Sequence, residues 1–288
     1  MTMANDRIAV LGAGQMGNGI AHVFAQAGYP VTMIDISRDA LAKGRDTISR
    51  NLDRQVKKGT LGAADKDATL ARITAAESLD AVSGAAIVIE AVTEQRDLKF
   101  KIFSDVDRHA TAGAILATNT SSISITEIAG RTSRPDAVIG MHFMNPVPVM
   151  QLVEVIRGLA TSDATTTRTM ELARAVGKTP VEANDYPGFI ANRILMPMIN
   201  EAVYCLMEGV GTADAIDTVM KLGMNHPMGP LALADFIGLD TCVAILDVLH
   251  AGLGDPKYRA CPLLRKYVAA GWLGKKSGRG FYSYQPSS

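Results

Sequence analysis

The sequence predicts an α/β protein: a Rossmann-like, doubly wound and mostly parallel sheet, followed by a second, all-helical C-terminal domain. The first observation is an alternation, over the first half of the chain, of short apolar runs with helical patterns. The second is a change near residue 186, after which segments such as YPGFIANRILMPMINEAVYCLMEG follow without a strand between them. We therefore expect one domain over 1–185 and another over 186–288.

The predicted strands are short, apolar and often β-branched, as in sheets that are buried on both faces. In chain order they are RIAVLG (7–12), VTMID (31–35), AIVIEAV (86–92), AILAT (114–118), AVIGMHF (137–143), LVEVI (152–156) and TPVEA (179–183). Helical patterns fill most of the connections, and in the first of them Gly28 is placed to end the helix.

One connection is unusually long. It contains DALAKGRDTISRNLDRQVKKG, whose polar composition predicts a helix with a solvated face. We expect a helical insertion over about 38–75 that protrudes from the first domain. Such a helix is either simply solvated or a clamp on a ligand.

Composition and charge exclude several classes of protein. Hydrophobic residues make up 48% of the chain and charged residues 20%, which is ordinary for a globular protein. Basic and acidic residues are equal at 29 each, so no global field attracts nucleic acid or an anionic membrane. An anionic ligand must therefore be bound by a local site.

Cysteine usage and the N-terminus favour a cytoplasmic protein. Cys205, Cys242 and Cys261 form no C-x-x-C pair, which suits free thiols in a reducing compartment. MTMANDR lacks the charged-then-apolar pattern of a signal peptide. No run of about 18 apolar residues is present, so we expect no membrane span.

The segment GAGQMG predicts a dinucleotide site, because it follows a predicted strand and opens a predicted helix. Gly12 would allow the tight turn, Gly14 the close approach of a pyrophosphate, and Gly17 tight helix–strand packing. Gln15 and Met16 complete the loop, and the helix N-terminus would offer free N–H groups to the phosphates. A glycine turn without a ligand is the alternative.

Asp35 favours NAD(H) over NADP(H). It ends the second predicted strand, where a carboxylate accepts hydrogen bonds from the ribose hydroxyls and repels a 2′-phosphate. A helix N-cap is the other interpretation of Asp35. Nearby Arg38 leaves NADP(H) open, because a guanidinium is able to accommodate a phosphate.

The run GMHFMNPVPVMQLVEV contains a histidine and a glutamate that a fold alone does not require. His142 would serve as an acid–base group near neutral pH, with Glu154 fixing its tautomer and raising its basicity. Pro146 and Pro148 would hold the connection between the two strands in one conformation. Taken alone, the pair is equally well explained as a backbone-bonded histidine and a strand-edge glutamate.

Together with ATNTSSISITEIA and DYPGFIANRIL, this run makes the chain resemble the L-3-hydroxyacyl-CoA dehydrogenase family, most closely its short bacterial members that act on 3-hydroxybutyryl-CoA. The resemblance extends from GAGQMG to GKKSGRGFY. The spacing of Ser121, His142, Glu154 and Asn192 matches the family's catalytic set. One departure is Met144, where the family usually has Phe.

The resemblance implies a role for each member of this set. His142 would be the base that takes the proton of the 3-hydroxyl, and Glu154 would orient it. Ser121 would bond the substrate's 3-oxygen; its alternative role is a helix N-cap, which Ser122 or Ser124 would fill as well. Asn192 would donate to a substrate carbonyl, so that the site bridges both domains, or else make a structural hydrogen bond between them.

Further contacts follow from the same resemblance. NAD would also be bound by Glu94, Lys99, Asn145 and Lys276, although the adjacent Lys275 is an alternative to Lys276. The acyl-CoA substrate would be bound on the polar helix by Asn51 and Lys58. Some relatives have serine in place of Asn51, and a solvated helix end is the alternative for Lys58.

The first helix of the second domain predicts self-association, most simply a homodimer through this domain. Its apolar residues recur at helical spacing, with Pro197 expected to kink the helix: Ile190, Ile194, Met198, Ile199, Ala202, Val203 and Leu206. Packing of this surface within the chain is the alternative.

Two other functions share the predicted architecture. One is an oxidoreductase of a free hydroxy acid such as L-gulonate, and the other is a non-catalytic, crystallin-like protein that binds dinucleotide. The presence of the whole catalytic set disfavours the second. The five histidines form no H-x-x-x-H or H-x-H pair, so we expect no metal site.

Overall fold

The computed structural model describes residues 6–284, and the chain divides into two compact units, Met1–Tyr186 and Pro187–Ser288. We call them the sheet unit and the helical unit. The strands of the sheet unit are β1 (Ile8–Leu11), β2 (Val31–Ile34), β3 (Ile73–Ala76), β4 (Ile87–Glu90), β5 (Ile115–Thr118), β6 (Val138–Phe143), β7 (Leu152–Arg157) and β8 (Thr179–Asn184).

These strands form one sheet in the order β3-β2-β1-β4-β5-β6-β7-β8. Neighbouring strands are parallel, except that β6 and β7 are antiparallel. The helices of this unit are α1 (Gln15–Gln26), α2 (Arg38–Lys57), α3 (Ala63–Ala71), α4 (Arg96–His109), α5 (Ile125–Ala129) and α6 (Asp163–Ala175). The predicted Rossmann-like, mostly parallel sheet is confirmed.

The segment predicted as a helical insertion over 38–75 is helical only as far as Ala71. It forms α2 and α3 and then the unpredicted edge strand β3, which pairs in parallel with β2. Nor is α2 solvated all round, since Leu41, Ile48 and Leu52 belong to the core of the sheet unit. Its opposite face is polar, as the composition predicts.

The strand order creates a ligand crevice. β1 lies between β2 and β4. The chain therefore builds β2 and β3 on one side of β1, and then crosses to build β4 and the later strands on its other side. At such a switch point, ligands bind beyond the carboxyl ends of the strands. The residues that follow β1, β4 and β5 are GAGQMG, AVTEQ and NTSS, which include the predicted glycine-loop residues, Glu94 and Ser121.

The helical unit contains α7 (Ala191–Met207), α8 (Ala213–Gly223), α9 (Pro230–Ile237), α10 (Leu239–Leu253) and α11 (Pro262–Ala269). Two buried carboxylates hold its C-terminal segment: Asp235 accepts hydrogen bonds from the N–H groups of Phe281 and Tyr282, and the Tyr282 hydroxyl donates to Asp217, each at 2.9 Å. The predicted all-helical domain is confirmed, and Pro197 lies inside α7.

The predicted free thiols are also observed. Cys242 and Cys261 are buried and Cys205 is half-buried, and all three are free. Burial raises the pKa of the Cys242 thiol to about 12, so this sulfur is not a nucleophile at neutral pH. Among the residues described, no helix is sufficiently long and apolar to cross a bilayer.

Candidate active site

An imidazole–carboxylate pair is formed across the two antiparallel strands. His142 in β6 is directly opposite Glu154 in β7, which brings residues twelve positions apart side by side. Nδ1 of His142 lies 2.8 Å from Oε2 of Glu154, and the two residues are 6% and 1% exposed. A carboxylate at Nδ1 favours the tautomer with its proton there, which leaves Nε2 able to take a proton.

Ser121 completes this arrangement on the Nε2 side. It follows β5, and its Oγ lies 3.1 Å from Nε2 of His142. The N-cap role that was the alternative for Ser121 is filled by Ser124, whose Oγ accepts the N–H of Glu127 at 3.2 Å. Ser121, His142 and Glu154 thus form one line of hydrogen-bonding groups at the carboxyl edge of the sheet.

The turn between β6 and β7 is fixed by a residue that the sequence analysis missed. Lys178 is buried, and its Nζ donates to the carbonyl oxygens of Val147 and Met150 at 2.6 and 2.7 Å. Burial lowers the pKa of Lys178. The lysine therefore ties the Pro-rich turn to the start of β8, which supports the strand register of the His142–Glu154 pair.

The glycine loop has the geometry of a phosphate site. Gly12 has φ +98°, and a Cβ there would meet the carbonyl oxygen of Ala91 at 2.6 Å. A Cβ on Gly17 would lie 1.9 Å from the carbonyl oxygen of Gly12, so helix and loop pack too closely for a side chain. Above Gly14, by contrast, there is open space for 4 Å at the N-terminus of α1, where a pyrophosphate would approach.

Asp35 faces this loop from the end of β2. Its Oδ2 accepts the N–H of Ala13 and its Oδ1 the N–H of Ser37, each at 2.9 Å. These bonds hold the carboxylate beside the loop, in the position that ribose recognition requires. The N-cap of α2 is Ser37 rather than Asp35, since the Ser37 Oγ accepts the N–H of Ala40.

Comparison with known proteins agrees with this geometry. Residues 7–186 match the NAD-binding domain of 3-hydroxyacyl-CoA dehydrogenase, and residues 188–284 match its C-terminal domain. The chain belongs to the 3-hydroxyacyl-CoA dehydrogenase family. Its sheet unit is therefore this family's NAD-binding domain, and the Gly12, Gly14, Gly17 and Asp35 geometry fits that cofactor.

Three similar members of the family illustrate the match. A probable 3-hydroxybutyryl-CoA dehydrogenase of Bacillus subtilis is 59% identical over 97% of both chains. The human mitochondrial hydroxyacyl-coenzyme A dehydrogenase is 42% identical, over 96% of this chain and 91% of its own length. The crystal structure of (S)-3-hydroxybutyryl-CoA dehydrogenase from Ralstonia eutropha has a TM-score of 0.95 and 53% identity, and the match covers 98% of this chain and 99% of that chain.

Asn145 and Gln15 meet between the glycine loop and the His142 turn. The Gln15 Nε2 donates to Oδ1 of Asn145 at 3.1 Å, and both side chains are exposed. Met16 is half-buried and packs against the core. The structure thus brings together two residues predicted to bind the cofactor from positions 130 apart in the chain.

Lys99 and Glu94, two other predicted cofactor residues, belong to a buried cluster of charges that was not predicted from the sequence. Glu90 and Lys99, each 1% exposed, meet at 2.6 Å, and Oε2 of Glu94 lies 3.3 Å from the Lys99 Nζ. The available signal was a carboxylate ending the apolar run AIVIE. Glu94 in turn accepts the N–H of Ser121 at 2.9 Å.

The residues predicted to bind coenzyme A line two cavities of the sheet unit. One, of about 970 Å³, lies among α1, α2, the turn after β6 and the start of β8, and includes Asn51, Lys58, Arg54 and Lys178. The other, of about 480 Å³, extends past Gly14, Gln15 and Asn145. Asn51, Pro146 and Pro148 line both. Arg54 was not predicted.

Two predicted site residues belong to the helical unit. Asn192 is buried in the first turn of α7. Lys276 is exposed, and its Nζ lies 2.6 Å from Oδ1 of Asp240, whereas the adjacent Lys275 lies near the Phe236 ring. Their roles remain predictions from the family resemblance.

Proposed function

We propose that this chain is an NAD-dependent dehydrogenase that interconverts L-3-hydroxyacyl-CoA, principally 3-hydroxybutyryl-CoA, and the 3-ketoacyl-CoA. The observation that carries the proposal is the line formed by Ser121, His142 and Glu154 at the carboxyl edge of the NAD-binding domain. The similarity to proteins named 3-hydroxybutyryl-CoA dehydrogenase supports the same substrate.

In the oxidation direction, Nε2 of His142 takes the proton of the 3-hydroxyl while hydride leaves C3. The bound NAD supplies the hydride acceptor. Glu154, 2.8 Å from Nδ1, stabilises the imidazolium that forms, and its burial strengthens that interaction. The Ser121 hydroxyl holds the 3-oxygen near Nε2. In the reduction direction, the imidazolium returns its proton to the same oxygen.

The cofactor residues of the proposal surround the glycine loop. The phosphates would meet the N–H groups at the start of α1, and Asp35 would accept from the ribose hydroxyls. The full assignment is Gly12, Gly14, Gln15, Met16, Gly17, Asp35, Glu94, Lys99 and Asn145, with Lys276 from the helical unit and Asn192 as its substrate contact.

The nucleotide arm of coenzyme A is assigned to the 970 Å³ cavity. Arg54, Lys58 and Lys178 supply three cationic side chains to its lining, and the lining residues that the structure describes include no acidic one. A cavity with this charge attracts a polyphosphate. Asn51 lines both cavities, so it lies where the pantetheine arm would pass toward Asn145.

The test of the function is an assay of NADH and NADPH oxidation with acetoacetyl-CoA, with longer 3-ketoacyl-CoA thioesters and with free acetoacetate. We expect saturable NADH oxidation with acetoacetyl-CoA, much weaker oxidation of NADPH, and none with the free acid. L-gulonate with NAD is the matched assay in the opposite direction. Turnover of free acids alone would establish the hydroxy-acid alternative, and NADH binding without any turnover would establish the crystallin-like one.

The proposal includes a homodimer formed through the helical unit, in the cytoplasm. Ile190 and Ile194 on α7 are 44% and 67% exposed, so the predicted apolar stripe is only partly buried within the chain. Val219 and Leu222 on α8 are also exposed. Exposed apolar residues of this number favour association with a second copy. Sedimentation equilibrium gives the mass, and Ile194→Lys with Leu222→Lys should yield monomers.

A further inference from the structure

Lys99, a predicted cofactor contact, is almost fully buried. It lies on α4 with 1% of its surface exposed, and its Nζ is 2.6 Å from Oε1 of Glu90 and 3.3 Å from Oε2 of Glu94. Two of the three N–H donors of this ammonium group therefore point at carboxylates, one of which is itself fully buried. Breaking such a pair would leave a buried charge without compensation.

Glu94, on the loop that follows β4, connects this lysine to the loop that follows β5. Its Oε1 accepts the N–H of Ser121 at 2.9 Å and both the N–H and the Oγ of Ser122 at 3.2 Å. The Oγ1 of Thr120 also donates to it. A carboxylate that accepts several hydrogen bonds from consecutive residues fixes the backbone of that segment.

Glu90 secures the other side of the lysine. Its Oε1 accepts the N–H of Val92 at 2.7 Å, and its Oε2 accepts the Oγ1 of Thr118, the last residue of β5, at 2.7 Å. Lys99 is thereby anchored to the ends of both β4 and β5. Its second contact, to Glu94, links these strand ends to residues 120–122, which donate hydrogen bonds to the Glu94 carboxylate.

We propose that Glu94 and Lys99 are positioning residues for Ser121. Lys99 holds the Glu94 carboxylate, Glu94 holds the backbone of the Ser121 loop, and the Ser121 Oγ is thereby kept 3.1 Å from Nε2 of His142. This inference rests on the proposed function, in which Ser121 orients the 3-oxygen of the substrate. Loss of either residue should then lower turnover through Ser121 even when NADH is saturating.

The kinetic test uses Glu94→Gln, whose side chain is 38% exposed, so that the change does not disturb the core. Glutamine keeps the shape but loses the charge that Lys99 and the loop recognise. We expect kcat with acetoacetyl-CoA at saturating NADH to fall about 10- to 100-fold, as for misplacement of a reacting group. The matched control is Glu127→Gln, which removes an exposed carboxylate paired with Arg96 beside the same loop.

The decisive comparison repeats Glu94→Gln in a Ser121→Ala chain. If Glu94 acts through Ser121, Glu94→Gln should lower kcat by less than about twofold in the Ser121→Ala chain. The reason is that the effects of residues acting as a unit are not additive. A full, additive loss in the Ser121→Ala chain overturns the proposal. So does a rise in NADH Kd that accounts for the whole loss of kcat/KM.

A second readout needs no catalysis. Amide hydrogen exchange of residues 119–123 should become faster in Glu94→Gln and in the charge-balanced pair Glu90→Gln with Lys99→Met, but not in Glu127→Gln. Unchanged exchange in both test variants overturns the inference even if the wild-type chain has no activity with acetoacetyl-CoA. Inactivity of the wild type with faster exchange would overturn the proposed function and leave the positioning of the Ser121 loop supported.

Discussion

Two regions of the sheet unit differ in whether their cationic side chains have carboxylate partners. At the carboxyl edge, each buried cation or imidazole faces a carboxylate: His142 faces Glu154, and Lys99 lies between Glu90 and Glu94. Around the 970 Å³ cavity the cationic side chains have no such partners in the lining. Buried Lys178 is bonded there to carbonyl oxygens instead.

The contrast extends to a second buried histidine. His22 on α1 is 0% exposed, and its Nε2 lies 3.0 Å from Oε1 of Gln26, which lines the cavity. Its Nδ1 is buried without a hydrogen-bond partner among the residues described. Burial lowers the pKa of His22 to about 4, and Lys178 adds to this effect. One histidine thus has a carboxylate beside its ring, and the other is kept neutral by its burial.

The difference indicates which region is complete without a ligand and which requires one. Where charges are paired within the chain, the geometry exists before any ligand binds, as acid–base chemistry requires. Where cations are left without carboxylates, the missing partner is an anion from outside the chain. Changes in the first region should therefore affect turnover, and changes in the second should affect substrate affinity or acid stability.

The largest effect should come from His142→Ala. Loss of the base should reduce kcat roughly 100- to 10,000-fold, the usual range for a positioned acid–base group. Fluorescence titration with NADH should give a nearly unchanged Kd, because the glycine loop is separate. His22→Ala is the matched control and should retain turnover in the folded fraction. Equal losses in the two variants would remove the functional distinction between the histidines.

The next effect concerns acid stability and His22. Because its folded pKa of about 4 is below the unfolded value of 6.5, the unfolded chain takes up the proton first as the pH falls. Stability is unaffected above pH 6.5 and is lost progressively between pH 6.5 and 4, by about 3 kcal/mol.

His22→Gln should remove that loss, so urea unfolding at pH 7.5 and 4.5 should give free energies that differ less than in wild type. A wild-type acid loss that persists in His22→Gln would mean that other groups cause it.

Glu154→Gln should have a smaller effect on turnover. It places a glutamine beside the His142 ring, as Gln26 lies beside the His22 ring, and so tests whether the carboxylate distinguishes the two histidines. Glutamine keeps size and hydrogen bonding but stabilises the imidazolium less, so kcat should fall about 10- to 100-fold in both directions. Glu182→Gln, an exposed carboxylate on the neighbouring strand, is the control. Wild-type rates in both directions in Glu154→Gln would show the glutamate to be structural.

The smallest effect should be that of Lys58→Ala. An exposed lysine bound to a phosphate contributes modestly, so KM for acetoacetyl-CoA should rise about fivefold with kcat unchanged. A pantetheine thioester that lacks the nucleotide should show no such rise. If both substrates respond alike, Lys58 does not contact the nucleotide end, and the cavity loses its assigned ligand.

The sequence predicted the parts of the molecule whose signals are local. Seven strands, the glycine loop and the two-part architecture follow from apolar periodicity and fixed short spacings. β3 was missed because ITAA lies at an edge, has two alanines and buries only Ile73 fully, so that it carries little of the apolar signal of the other strands.

The missed site residues depend on tertiary contacts. Nothing near Lys178 in the chain indicates that its ammonium caps the turn after β6, since those partners are about 30 residues away. The Lys99 pairing is similar: its position on α4 is compatible with an exposed contact, and its burial beside Glu90 at the end of β4 is a tertiary contact. Buried charge is set by what folds over it, which no single stretch of sequence specifies.

The direct opposition of His142 and Glu154 determines which insertions and deletions the chain tolerates. Side chains alternate between the two faces of a strand, so one residue added between Leu152 and Glu154 would turn the glutamate to the wrong face. A residue added in the turn over 144–151 leaves this alternation unchanged but disturbs the carbonyl groups of Val147 and Met150 that Lys178 holds. Length variation among natural or engineered descendants of this chain should therefore be purged most strongly from the first half of β7.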